Sequence, residues 1–217
     1  MTLERRTYLG EVEFRAEGKR LLAYGYAARF DTLSQNLGGF VERIKPGAFA
    51  KTVQEADIRA LFNHSPDHVL GRNKAGTLSV AEDADGLPYE IDLPDNGLGR
   101  DLAVSLERGD ITGSSFGFRV VNGGEEWSET DTGFALRTLT EVALRDVGPV
   151  TFPAYTEADS ALRSLAEARS LDLPTLIEAA KANKLSEALR AEDTEDEEQE
   201  EERRETPTPR HRSPYAF

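Results

Sequence analysis

Residues 96–121 read NGLGRDLAVSLERGDITGSSFGFRVV, and the order of elements in this stretch decides the fold class. Leu98, Leu102 and Leu106 recur at i, i+4 and i+8, the spacing of one helix face, and Gly109 stops the helix predicted over 96–108. Gly113, Ser115 and Gly117 then fit G-x-S-x-G, and FGFRVV continues as a strand. In an α/β-hydrolase the serine of that pattern lies between a strand and a following helix, and its partners come in the order Ser, acid, His. Here the helix precedes the serine and the strand follows it. A nucleophile elbow on a doubly wound sheet is therefore excluded, and the glycines are read as freeing backbone around the serine for a sharp turn and for N–H donors.

Outward from this stretch, strand signals dominate. Arg20 to Phe30 is apolar and aromatic. Gly76 to Pro94 reads as a hairpin, with Leu78 and Val80 on one side of Asp85-Gly86 and Leu87, Tyr89, Ile91 and Leu93 on the other. A second hairpin is predicted from Phe116–Val121 returning through Phe134–Val142. A further helix is predicted over Pro46–Ala56, with proline at its start. Many strands with few helices predict an α+β chain, a β-rich barrel or sandwich with helices packed on it.

Patterning runs from about Thr7 to Ala154, so the chain divides into a body over 1–155, a helical extension over 156–190 and a tail over 191–217. Asp159–Arg169 and Asp172–Arg190 read as helices. The second carries an apolar stripe through Leu173, Leu176, Ile177, Ala180, Leu185, Ala188 and Leu189, which fits either packing on its own body or docking a partner. Ala191 to Glu205 holds ten acids against two arginines. Such a run is solvated and expected to be disordered, as is the Pro-rich end TPTPRHRSPYAF.

The full chain of 217 residues carries a net charge of −14, and the excess of eight negative charges in that run leaves −6 elsewhere. An acidic body is a poor phosphate binder, so nucleic acid is not the expected partner. No apolar run approaches a bilayer span and the first ten residues are polar, so a protein made in a cytoplasm and free of membrane is expected. Cysteine is absent, which removes thiol nucleophiles and thiolate metal sites.

Three histidines are present, His64, His68 and His211. Acid–base chemistry by imidazole in the body therefore falls to His64 or His68. Strand-like Ile58–Phe62 delivers His64 to a strand end, and Pro66 breaks regularity beyond it. A surface loop or a His64/His68 metal pair are the competing readings. Helical i, i+4 spacing would join the pair, and Pro66 opposes a helix there. Glu141 and Asp146 are acids in an apolar segment, suited to orient an imidazole or to pair with Arg119 or Arg145.

Four segments stand in one order: GYAARFDTLSQNLGGFVERIKPGAF (25–49), LFNHSPDHVLGR (61–72), RGDITGSSFGFRV (108–120) and LRDVGPVTFPAY (144–155). Together they resemble the prohead maturation proteases of tailed bacteriophages. The resemblance implies a serine endopeptidase with His64 as base, Ser115 as nucleophile and Asp146 as the acid, Glu141 being the fallback. Ser114 stands where many members carry an apolar residue, and Gly148-Pro149 replaces their Ser-Leu or Ser-Val. No metal or cofactor is implied. The implied substrates are the scaffolding segment of the major capsid protein and the protease itself, inside a procapsid assembling in the host cytoplasm. The family is similar to the herpesvirus assembly proteases, which implies a closed β-barrel ringed by helices, and dimerisation. The other classes to weigh are a non-catalytic scaffolding factor and a metallohydrolase built on His64 and His68.

Overall fold

Alternating apolar residues build three sheets in the computed structural model, which describes residues 3–8, 12–152, 162–163, 165–166 and 170–189. The strands are β1 (Glu4–Tyr8), β2 (Val12–Glu17), β3 (Arg20–Arg29), β4 (Phe40–Ile44), β5 (Arg59–Leu61), β6 (Val69–Arg72), β7 (Leu78–Val80), β8 (Gly86–Asp92), β9 (Gly113–Val120), β10 (Glu125–Glu129), β11 (Ala135–Leu139) and β12 (Val142–Val150). The helices are α1 (Ala50–Glu55), α2 (Gly97–Glu107) and α3 (Leu173–Lys181).

A five-stranded sheet runs β1-β9-β12-β5-β6, a four-stranded sheet β2-β3-β8-β7, and a three-stranded sheet β10-β11-β4. Phe116 and Phe118 of β9, with Leu144 and Val147 of β12, meet Ala23, Leu87 and Ile91 of the four-stranded sheet in one core. Leu102 and Leu106 of α2 close that core from outside, each fully buried apolar side chain contributing roughly 1.5–3 kcal/mol. At its start, Asn96 accepts a hydrogen bond from Gly99 N–H, and Gly99 is bare because a Cβ there would lie 2.0 Å from the Pro94 carbonyl.

The architecture is α+β and strand-rich, but the expected closed barrel is not formed. β1 lies against β3, and β6 against β8, without joining a common ladder. The backbone groups along those two seams are not zipped, so two sheets face each other across the core instead of one sheet closing on itself.

Three other expectations for the body change. The hairpin over 76–94 forms, with Leu78 opposite Ile91 and Val80 opposite Tyr89, but its loop is longer than Asp85-Gly86. Asp83 Oδ1 accepts from the N–H groups of Asp85 and Gly86, and Gly86 is already in β8, where a Cβ would lie 2.1 Å from the Ala28 carbonyl. The second predicted hairpin is re-paired. β9 returns through β12, while β11 pairs with β10 and, in parallel, with β4. All five β11 residues are buried, so it needs a neighbour on each edge. The helix predicted from Pro46 begins only at Ala50.

Of the extension, Leu162, Arg163, Leu165 and Ala166 are helical, and α3 is followed by a turn and a second helical run over 185–189. Asn183 in that turn has φ 53°, which breaks the single helix predicted to Arg190. Leu176, Ala180, Leu185 and Leu189 pack with Leu37, Phe40 and Ala135 in a second core. The apolar stripe therefore covers the chain's own three-stranded sheet. Gly39 makes the approach possible, since its Cβ would fall 2.3 Å from Ala180 Cβ. The tail predicted over 191–217 lies outside the described residues. Among those residues no helix is long and apolar enough to cross a membrane.

Candidate active site

Three strands of the five-stranded sheet carry the candidate residues. Ser115 sits in β9, Asp146 in β12 and His64 just beyond the end of β5. The imidazole bridges the other two: His64 Nε2 lies 2.7 Å from Ser115 Oγ, and His64 Nδ1 is hydrogen-bonded to Asp146 Oδ2. The side chains of His64 and Asp146 are each 9% exposed, which removes most competing water from the pair.

A β-bulge puts Asp146 on the right face. In β12, Leu144 pairs with Phe118 while Asp146 pairs with Gly117, so Arg145 is the extra residue. Strict alternation from the core residue Leu144 would send Asp146 into the apolar core. The extra residue shifts the parity, so Val147 faces the core and Asp146 shares the face of Ser115. The second glycine of G-x-S-x-G then has a use different from a sharp turn. Gly117 lies in an extended strand, and a Cβ there would stand 2.5 Å from Asp146 Oδ1. Its bareness is the space the carboxylate occupies.

His64 is delivered by backbone geometry that side chains rarely adopt. After β5 the chain enters a 3-10 turn over Phe62–His64, with φ 52° at Asn63 and 55° at His64. Consecutive left-handed non-glycine residues are strained and persist only when their surroundings hold them. Asn63 supplies the hold: its amide donates to Thr151 Oγ1 at 3.1 Å and its carbonyl accepts from Thr151 N–H at 2.8 Å. β5 also runs parallel to β12 at close quarters. Gly148, opposite Ser115 in register, has φ 153°, and a Cβ on it would lie 2.3 Å from the Leu61 carbonyl. The Gly148-Pro149 departure thus lets the histidine-bearing strand come close to the serine.

The remaining candidates are placed elsewhere. Ser114 points to the opposite face, where its hydroxyl donates to Tyr89 Oη at 3.0 Å. Glu141 is 43% exposed and pairs with Lys51 at 3.4 Å. His68 is exposed and its ring lies 6.2 Å from that of Phe62. Both ring nitrogens of His64 are engaged by Ser115 and Asp146, which leaves neither for a metal shared with His68. Among the described residues no group of three or more His, Cys, Asp or Glu is arranged to hold a metal ion. His211 lies outside the described residues.

Sequence reading missed the strand that covers this site. β1 runs antiparallel to β9, with Thr7 opposite Ser115 and Arg6 opposite Phe116. Its Glu4 and Arg6 are buried in a cluster of fixed charges. Arg6 donates to Glu42 through Nε and Nη2, at 2.8 and 2.9 Å, and to Glu4 at 2.8 Å. Arg137, fully buried, donates to Glu4 at 2.8 and 2.9 Å and to Glu125 at 2.6 Å. Burial pushes the Glu4 carboxyl up, but Arg137 and then Arg6 outweigh it and hold it below the usual carboxylate range. Burial likewise works against the Arg137 charge, and Glu4, Glu42 and Glu125 raise its pKa above the ordinary guanidinium value. The available signal was Arg137 inside the apolar run Ala135–Leu139, because a buried guanidinium demands carboxylates from elsewhere.

The profile of the Caudovirus prohead serine protease family matches residues 10–171. No curated protein matches the chain. Among solved structures, that of the bacteriophage T4 capsid assembly protease is similar over 70% of this chain and 98% of that one, at 15% identity and a TM-score of 0.45.

Proposed function

The chain belongs to the Caudovirus prohead serine protease family, and from that premise we propose that Ser115, His64 and Asp146 are its catalytic triad. The observation that carries the reading is the imidazole of His64 held between the Ser115 hydroxyl and the Asp146 carboxylate. Asp146 accepts a hydrogen bond from Nδ1–H, which fixes the tautomer whose Nε2 can act as a base. Ser115 Oγ attacks the carbonyl carbon of the scissile peptide as its proton passes to Nε2. The resulting oxyanion is held by backbone N–H groups beside the serine. Collapse breaks the C–N bond, and His64 returns the proton to the leaving amine. Water, deprotonated by the same imidazole, then hydrolyses the acyl-serine and regenerates the hydroxyl. Neither a metal nor a cofactor takes part.

The substrate is the scaffolding segment of the major capsid protein, together with the protease's own chain, within the procapsid in the host cytoplasm. In this reading residues 1–155 are the protease, and the extension over 156–190 and the tail over 191–217 tether it and are removed by self-cleavage. The test is co-expression with the capsid protein. Wild type shortens both the capsid protein and itself, whereas Ser115→Ala leaves both at full length. Capsid cleavage that persists with Ser115→Ala contradicts the reading and leaves the chain an assembly role only.

A further inference from the structure

The sheet face that carries Ser115 and Asp146 also carries a row of arginines. Side chains alternate along a strand, and residues opposed across a ladder share a face. Arg5 stands opposite Gly117, and Arg119 follows Ser115 and Gly117 along β9. Arg59 stands opposite Asp146, and Arg72 opposite Arg59. The bulge residue Arg145 is exposed, so it too points away from the core. Among the described residues Asp57 is the one carboxylate paired with this row, and Arg59 and Arg72 share it at 3.2 and 2.7 Å. Arg5, Arg119 and Arg145 are exposed, and among the described residues their guanidinium groups have neither an ion pair nor a hydrogen bond.

This local excess of positive charge stands in a chain of net charge −14. Each guanidinium offers a fork that fits a carboxylate, but one exposed pair is weak, so the fitting partner brings several carboxylates at once. A polyphosphate would do so too, yet it must approach a chain that is itself strongly negative. The chain holds its own candidate in Ala191–Glu205, with ten acids against two arginines. That run begins just past Leu189, which is packed in the second core. Fully extended, it spans about 50 Å, while a folded body of this size is about 40 Å across. Its reach therefore includes the arginine face. We infer that the acidic run Ala191–Glu205 docks within its own molecule on Arg5, Arg119 and Arg145, beside Ser115. Attachment to the same chain raises its effective concentration to about the millimolar range, so several weak pairs together hold it. The docking does not depend on Ser115 being the nucleophile.

Chemical coupling tests it on the full-length chain, carrying Ser115→Ala so that the proposed self-cleavage is absent. Arg119→Lys and Arg145→Lys, made singly, keep the charge and supply an amine at an exposed position. A carbodiimide joins an amine to a carboxylate in contact with it, and trypsin then releases the run as the peptide Ala191–Arg203 for mass spectrometry. Exposed Lys19, in the β2–β3 turn of the other sheet, is the internal reference. Docking predicts coupling of the run to the lysine at 119 or 145 at least about tenfold above that to Lys19, falling severalfold at about 1 M salt. A second measurement uses no new amine. A Glu-specific endoprotease should cut the run several-fold faster in the triple variant Arg5→Ser, Arg119→Ser, Arg145→Ser than in its parent. A variant that has lost its fold is cut in the body as well, which separates misfolding from undocking. Coupling at 119 and 145 no stronger than at Lys19, or equal cutting of the run in two folded proteins, overturns the docking. Coupling found only in covalent dimers also overturns it, because the run then sits on a second copy.

Discussion

The two faces of β1 look onto two buried polar groupings of opposite character. On one face Glu4 and Arg6 join Glu42, Glu125 and Arg137, with paired contacts from Arg6 to Glu42 and from Arg137 to Glu4. On the other, Thr7 meets Ser115, His64 and Asp146. In the first grouping each charge is locked by its neighbours, and the pKa values of the Glu4 carboxyl and the Arg137 guanidinium are driven apart. No proton there has anywhere to go, so the cluster holds strands in place. In the second, an imidazole separates an alcohol from a carboxylate, and one proton can move without changing the net charge of the site. Burial alone does not distinguish a fastening from a candidate reaction centre. The presence of a group whose proton has two homes does.

Substitutions in the two groupings should differ in effect by several orders of magnitude. Ser115→Ala removes the proposed nucleophile and should lower kcat/KM on a capsid-derived peptide by a factor on the order of 10⁶, with a urea midpoint close to wild type. Asp146→Asn keeps the shape but allows the wrong imidazole tautomer, and should cost about 10⁴ in kcat. A loss under tenfold would return the acid's role to another residue. Arg137→Met strikes the other grouping. It takes from Glu4 and Glu125 the buried cation they share, leaving Glu4 with Arg6, and should lower stability by about 3–5 kcal/mol in urea unfolding. Glu141→Gln is the smallest step: an exposed acid paired with Lys51 should change stability by less than about 0.5 kcal/mol and leave turnover at the wild-type level.

Acid titration sharpens the same contrast. Glu4 binds its proton less readily folded than unfolded, because its pKa is held below the ordinary 4.5. Its stabilisation is therefore fully present above the unfolded value and disappears as pH falls through the lower folded one. Unfolding free energies followed from about pH 6 to about pH 3 should fall more steeply for wild type than for Glu4→Gln. Parallel curves would show that the cluster is not fixed as described.

Much of the candidate site was legible in the chain, and much of the framework was not. The glycine spacing around Ser115, the strand end before His64 and the helix over 97–107 all follow from local periodicity, and local periodicity is what a single sequence records. Asp146 was legible as an acid in an apolar run, but not its direction, because the bulge at Arg145 reverses the parity that alternation would assign. β1 was illegible for the opposite reason. Its alternating Glu4 and Arg6 look like a solvated terminus, and only partners 36 and 133 residues away make them interior. The re-pairing of β11 and the open seams between sheets are likewise long-range facts. Alternation says which face of a strand is apolar and does not say which strand lies next to it.

The most direct test of the account is to quench a reaction with an activated ester in acid and map the acyl group on the peptide that contains Gly113–Phe118. The account predicts an acyl adduct on Ser115, absent from Ser115→Ala and scarcely formed by His64→Ala. An adduct on the neighbouring Ser114, or peptide cleavage with no acyl-serine at all, would contradict it.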